Sequence, residues 1–269
     1  MSSVIASLVV LAAPVALLVV LVRLVWRSWA PLYFMLSGRY VEAQQASTRM
    51  EQGWLRVLPS VRNGARYMRA LALHMQGLLE ECLGELHALT GERLDPNLAY
   101  AVSSLEASTL VLLEREPDRA LACIDRAMEL WSPSPEDLLI RALALQSLSR
   151  EEEAGRDYAR AESATRAAVK VGLRTALVED RETKRAIAAY LRGLFLARAG
   201  DEAAARRELE IAAAHPKPHV YAERARRGVP SRARRDDDER SSLAPQVLGR
   251  VDGGDQRANE TPSSENKKA

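Results

Sequence analysis

The sequence predicts an all-α protein, an N-terminal transmembrane helix followed by an α-solenoid of short helical hairpins. Three observations predict it. The composition is rich in alanine, leucine, arginine and glutamate, with 47% hydrophobic and only 5% aromatic residues, and no alternating apolar series marks a sheet. Val4–Val22 is a run of 19 residues without a charge. Between Ala101 and Ala168 the small and apolar positions coincide when the chain is laid on itself at an offset of 34 residues.

Residues 1–30 read as the anchor. At about 1.5 Å of rise per residue, the Val4–Val22 run matches a hydrocarbon core of about 30 Å. Pro14 is tolerable inside a membrane helix. Arg23 and Arg27 end the run, and Trp26, Trp29 and Tyr33 are amphipathic rings of the kind that settle at headgroup depth. No Lys or Arg precedes the run, and no small-x-small cleavage site precedes the arginines, which sets it apart from a signal peptide. Because Arg23, Arg27 and Arg39 all follow the span, the positive-inside rule places the C-terminal part in the cytoplasm. The alanine- and arginine-rich composition points to a bacterium, hence to its inner membrane.

Residues 31–62 read as a membrane-proximal helical hairpin, with Leu32–Leu36 extending the apolar surface, Gly38 at the turn and an amphipathic stretch from Tyr40 to Leu58. Residues 63–220 carry the repeats. Within them Gly91 ends a helix, and Asp95–Pro96 opens the next as N-cap and first helical residue. Ala167–Arg185 is an insertion that lengthens one helix or adds another. Residues 221–269 read as a charged, disordered tail, with too few apolar side chains to offset ordering. Its arginines, among them Arg224, Arg226 and Arg227, have acidic neighbours, and a solvated tail is favoured over a lipid or acidic-partner contact. The formal net charge of +2 leaves no clustered basic excess, which argues against a nucleic-acid partner.

Each repeat reads as two amphipathic helices. In the second clean unit, helix A covers about Glu136–Ser149, with Leu138, Leu139, Ala142, Leu145 and Leu148 at three- and four-residue steps. Helix B runs from about Glu151 through Ala161. Helices in one hairpin approach closely only where side chains are small, which fits Ser108 and Ala142 on helix A and Ala120 and Ala154 on helix B. Ile124 and Tyr158 fill the space one turn on, and Pro133 and Pro135 break the chain between units.

This pattern resembles the tetratricopeptide repeat family: a small residue at position 8, alanines at 20 and 27, a bulky residue at 24 and a proline near 32. Looser units start at Asn63 (Ala70, Leu73, Cys82, Leu86, Leu89) and at Ala186 (Gly193, Leu196, Ala205, Leu209, Ala212). The aromatic usual at position 4 is missing. The resemblance implies a groove lined by helix-A residues at positions 2, 5, 9 and 12 that holds a peptide or a helix. On this chain those positions give Tyr67, Leu71 and His74, then Leu105, Thr109 and Leu112, then Leu139, Leu143 and Gln146, then Tyr190 and Leu194. The family's basic-and-asparagine clamp for carboxylates is absent from them. The groove reads as apolar, suited to an amphipathic helix. The same leucines serve equally well to pack neighbouring helices.

Catalytic and metal-binding motifs do not emerge. His215-x-x-x-His219 has metal-like spacing, but Pro216 and Pro218 lie inside it, so it reads as a loop pair without a special role. There is no phosphate-binding glycine loop and no nucleophile elbow. Cys82 and Cys123 read as unpaired core thiols. The expected function is therefore a non-enzymatic, membrane-anchored scaffold for a protein or peptide partner, with no cofactor or metal. A self-associating assembly factor, or an enzyme subunit whose site the sequence does not display, are the alternatives.

Overall fold

The computed structural model describes residues 29–53, 57–167 and 181–228. The chain divides into a unit over 1–229 and another over 230–269, and every described residue lies in the first. Val4–Val22 lies outside the described residues, and among those described no helix is long and apolar enough to cross a membrane.

Every regular element among the described residues is helical. After helical residues 29–36 (α1) come α2 (Tyr40–Gln52), α3 (Pro59–Gln76), α4 (Leu79–Thr90), α5 (Pro96–Leu113), α6 (Pro117–Leu130), α7 (Pro135–Ser147) and α8 (Glu151–Ala167). They are followed by α9 (Arg181–Arg198), α10 (Glu202–Ala213) and α11 (Val220–Gly228). Consecutive helices pair as α3/α4, α5/α6, α7/α8 and α9/α10, and the first helices of these pairs touch in succession: α3 on α5, α5 on α7, α7 on α9. α2 packs on α3. The two clean units are thus two hairpins, with helix borders close to those the periodicity predicts. α3 starts at Pro59, earlier than the expected unit start at Asn63, because Pro59 occupies the first turn, where its missing N–H costs nothing.

The helix ends follow local chemistry. The Asp95 carboxylate accepts from the Asn97 and Leu98 amides at 3.1 Å, ahead of Pro96. Ser134 and Asp137 form a reciprocal capping box ahead of α7, with Pro135 in its first turn. Gly77 closes α3 at φ +81°, a left-handed conformation that a Cβ would strain. The small residue at position 8 has a direct reason in the last hairpin: a Cβ on Gly193 would lie 2.8 Å from Leu209 Cγ of α10.

One core runs through all the hairpins. Ala70, Ala107, Ala120, Ala127, Ala142, Ala154 and Ala161 are at most 1% exposed, beside Leu86, Leu110, Ile124, Leu139, Leu143 and Leu145, all fully buried. A charged device recurs on the hairpins. Arg69 pairs with Glu85, Arg141 with Asp157 and Arg192 with Glu208, each time 16 residues apart, from the first helix of a hairpin to the second. Arg69 also reaches Glu51 of α2, and Arg141 reaches Asp125 of α6 at 2.6 Å, so each ties its hairpin to the preceding helix. In the α5/α6 hairpin the corresponding positions are Ala107 and Cys123, and Arg119 pairs instead with the buried Glu106.

The end of the chain departs from the expected organisation. Residues 221–228 belong to α11, a folded helix, where a disordered tail from residue 221 is expected. The reason is a short helical stripe: Tyr221, Ala222 and Ala225 recur at three- and four-residue steps and are all buried. α11 packs on α9 and α10 and reaches back to α3.

Candidate functional site

The residues expected to line the groove fall into two groups. Leu71, Leu105, Leu139 and Leu143 are buried members of the core, and Tyr67 and Leu194 are half-buried and packed against it. Gln146 is buried on α7 and donates to Phe195 O of α9 at 3.3 Å. The others, His74, Thr109, Leu112 and Tyr190, are brought together around α11. The seat they form is polar at its centre, where an apolar groove is expected.

The hydrogen bonds there can be assigned donor by donor. Thr109 Oγ1 donates to Leu105 O at 2.7 Å, so its one proton is spent. It therefore accepts from His74 Nδ1–H at 2.9 Å, and from the Cys82 thiol at 3.6 Å. With its proton on Nδ1, a neutral His74 presents Nε2 as an acceptor, and the Tyr221 hydroxyl donates to it at 2.7 Å. The Tyr221 oxygen in turn accepts from Ser108 Oγ at 2.8 Å. The chain thus runs from Ser108 through Tyr221, His74 and Thr109 to a main-chain carbonyl, across α5, α11 and α3. In this direction the chain holds an uncharged imidazole. Burial, aided by the Arg224 cation, brings the His74 pKa down to about 3.

Two more contacts hold α11. Arg224 donates to Leu112 O at 2.6 Å, near the C-terminus of α5, where main-chain carbonyls lack helical partners. The Tyr221 ring meets Tyr190 of α9 edge-on, with centroids 5.6 Å apart.

The connection into α11 carries the histidine pair. Both rings are buried, and His219 is the residue before α11. Its Nδ1 accepts from the Ala222 amide at 3.3 Å, so the side chain caps the helix. Its Nε2 lies 3.1 Å from His215 Nδ1, which also lies 3.1 Å from Lys217 O. His215 Nε2 faces Thr183 Oγ1 of α9 at 3.4 Å. The pair lies in the loop between α10 and α11, as expected of it, and its rings pack at the N-terminus of α11.

Elsewhere the chemistry is quiet. Cys82 and Cys123 are free thiols, and burial pushes them up to about 12 and about 11, away from thiolate reactivity. No group of three or more potential metal ligands occurs among the described residues. An open depression between α2 and α3 is lined by Glu51, Gln52, Val57, Arg62 and Arg66, and its Glu51 carboxylate is already paired with Arg66 at 2.7 Å.

Sequence reasoning missed Ser108 as a hydrogen-bond donor and missed Tyr221, and it weighed Arg224, His215 and His219 without placing them at this seat. The Tyr221, Ala222, Ala225 stripe was the available signal for α11. No protein-family model, no curated protein and no solved structure matches the chain.

Proposed function

We propose that this chain is a membrane-tethered scaffold of the tetratricopeptide kind. In this reading its hairpins present a helix-binding seat to a protein partner, and α11 occupies that seat until the partner arrives. The observation that carries the reading is the seating of α11 itself. A nine-residue helix is received by His74 of one hairpin and by Ser108 and the Leu112 carbonyl of the next through matched donors and acceptors, with the Tyr190 ring of α9 against it. That is how a groove takes an amphipathic helix. The tether rests on the 19-residue apolar run Val4–Val22, and on Trp29 and Tyr33 of α1, which are 59% and 50% exposed close behind it. The same charge bias that orients the span puts the hairpins on the cytoplasmic side.

The test combines membrane extraction with site-specific crosslinking in the full chain. A photoreactive residue replaces the half-buried Leu194, with and without Ala225→Glu, which places a charge under α11. The chain is expected to resist carbonate extraction. Ala225→Glu is expected to raise crosslinking to a second protein. Release by carbonate, or crosslinks to the chain's own α11 alone in both backgrounds, would contradict the reading. A product of twice the chain's mass would favour self-association.

A further inference from the structure

One helix in this chain is apolar on both of its sides. From Ser28 to Gly38 no residue is charged, and α1 lies inside that stretch. At about 100° of turn per residue, Ala30, Pro31, Phe34 and Met35 share one side of it. Ala30, Pro31 and Met35 are buried, and Phe34 packs half-buried against the core. The opposite side carries Trp29, Leu32, Tyr33 and Leu36. Trp29 and Tyr33 are exposed there, and the two leucines are half-buried. A helix that is apolar all round needs apolar surroundings all round, and the fold covers one side alone. We propose that the outer side of α1 rests on the lipid bilayer, with the helix lying along the headgroup layer. The nearness of a bilayer rests on the tethered reading. The new element is a second membrane contact, made by the folded unit itself.

The occupant follows from chemistry and reach. The exposed pair is Trp and Tyr, amphipathic rings that favour the boundary between hydrocarbon and water. Arg27 precedes the uncharged stretch and Arg39 follows it, cations of the kind that attract anionic headgroups. Trp29 stands seven residues after Val22, the end of the apolar run. At ~3.3–3.6 Å per residue the two are at most about 25 Å apart. A bilayer that holds the run therefore has its surface within reach of α1.

The attachment of α1 makes this contact an orienting one. Lys217 of the α10–α11 loop donates to Leu36 O at 3.0 Å, at the end of α1. At the turn that follows, Gly38 has φ +73°, and a Cβ there would lie 3.0 Å from Lys217 Cδ. The Arg39 guanidinium lies over the Phe34 ring, 4.9 Å from its centroid, and pairs with Glu42 of α2 at 2.8 Å. α1 is thus joined both to α2 and to the loop that leads into α11. Seated on a bilayer, it holds that loop close to the membrane surface.

The test places the full chain in vesicles of phosphatidylcholine and phosphatidylglycerol with bromine at shallow or deep acyl positions. Three chains each keep a single tryptophan, the others being replaced by phenylalanine. One keeps Trp29, one keeps Trp131 behind α6, and one carries Leu36→Trp. Shallow bromines are expected to quench positions 29 and 36 to a similar extent, each severalfold more than Trp131. The two positions are about 10 Å apart along the helix, so an upright α1 would quench one and spare the other, which would overturn the proposal. Equal quenching of all three would overturn the orientation. In the unsubstituted chain, hydroxyl-radical footprinting is expected to leave Trp29 and Tyr33 unoxidised in vesicles while Trp131 reacts. Protection of Trp29 without bromine quenching would assign the cover to protein, a second copy included, and overturn the lipid contact. Absence of quenching in a chain that resists carbonate would overturn the contact and leave the tether standing. Quenching in a chain that carbonate then releases would sink the tether and leave the contact.

Discussion

The α5–α8 hairpins and the α11 seat are both held by buried polar groups, but of opposite kinds. Between the hairpins the groups are charged. Asp137, 1% exposed, accepts from Tyr100 at 2.6 Å, Ser104 at 2.7 Å and the Ser134 amide at 2.9 Å, joining α5 to α7. Arg141 lies between Asp125 and Asp157. At the seat the groups are the neutral His74 imidazole, a phenol and hydroxyls, with the single cation of Arg224. A carboxylate that gathers three donors is costly to strip of them, since each bond to a charged group contributes about 1.5–3 kcal/mol. A bond between neutral groups contributes less, about 0.5–1.5 kcal/mol. The hairpins are tied by charged groups, and the closing helix chiefly by bonds between neutral ones.

Substitutions sharpen that contrast. The largest effect is expected from Asp137→Ala, which removes a cap and leaves Tyr100 and Ser104 without their acceptor. We expect a loss of about 3 kcal/mol or more in denaturant unfolding. Arg141→Ala leaves Asp157, 4% exposed, beside only the more exposed Arg160, and is expected to cost about 2 kcal/mol. Tyr221→Phe leaves His74 Nε2 without a donor and Ser108 without an acceptor, at about 1–2 kcal/mol. That loss should register as faster exchange in α11, with the hairpins unmoved. Arg150→Ala breaks an exposed pair with Glu153 and is expected to leave the unfolding midpoint unchanged.

The pH dependence has a definite sign. His74 binds its proton in the folded chain only near pH 3, but in the unfolded chain at its ordinary value of 6.5. Between those values the unfolded state holds the extra proton. The stability contributed by the neutral ring is therefore complete above about 6.5 and is lost as pH falls toward about 3. A series of urea melts from neutral to mildly acid pH should show a shallower decline in His74→Gln than in the wild type.

What was legible in the sequence follows the same division. Ser108 and Ala142, Ala120 and Ala154, Ala127 and Ala161 recur because each hairpin solves the same close-approach problem, and a recurring problem leaves a periodic trace. Asp95, Pro96 and Pro135 announce helix starts through local chemistry alone. The seat has neither advantage. Tyr221 lies 147 residues from His74 and 113 from Ser108, and each contributes once. A single tyrosine among arginines carries no period, and its role appears only when the fold brings α3, α5 and α9 to it. The groove positions implied by the family resemblance named His74, Thr109 and Tyr190, but not the helix of the same chain that covers them.

The most direct measurement is the imidazole nitrogen spectrum of His74 in the intact chain, read by long-range nitrogen–proton correlation from neutral pH downward. The account predicts a single neutral tautomer with the proton on Nδ1, Nε2 shifted as a hydrogen-bond acceptor, and no titration near 6.5 while α11 is seated. A proton on Nε2, or a free imidazole titrating at its ordinary value with α11 still protected, would contradict it.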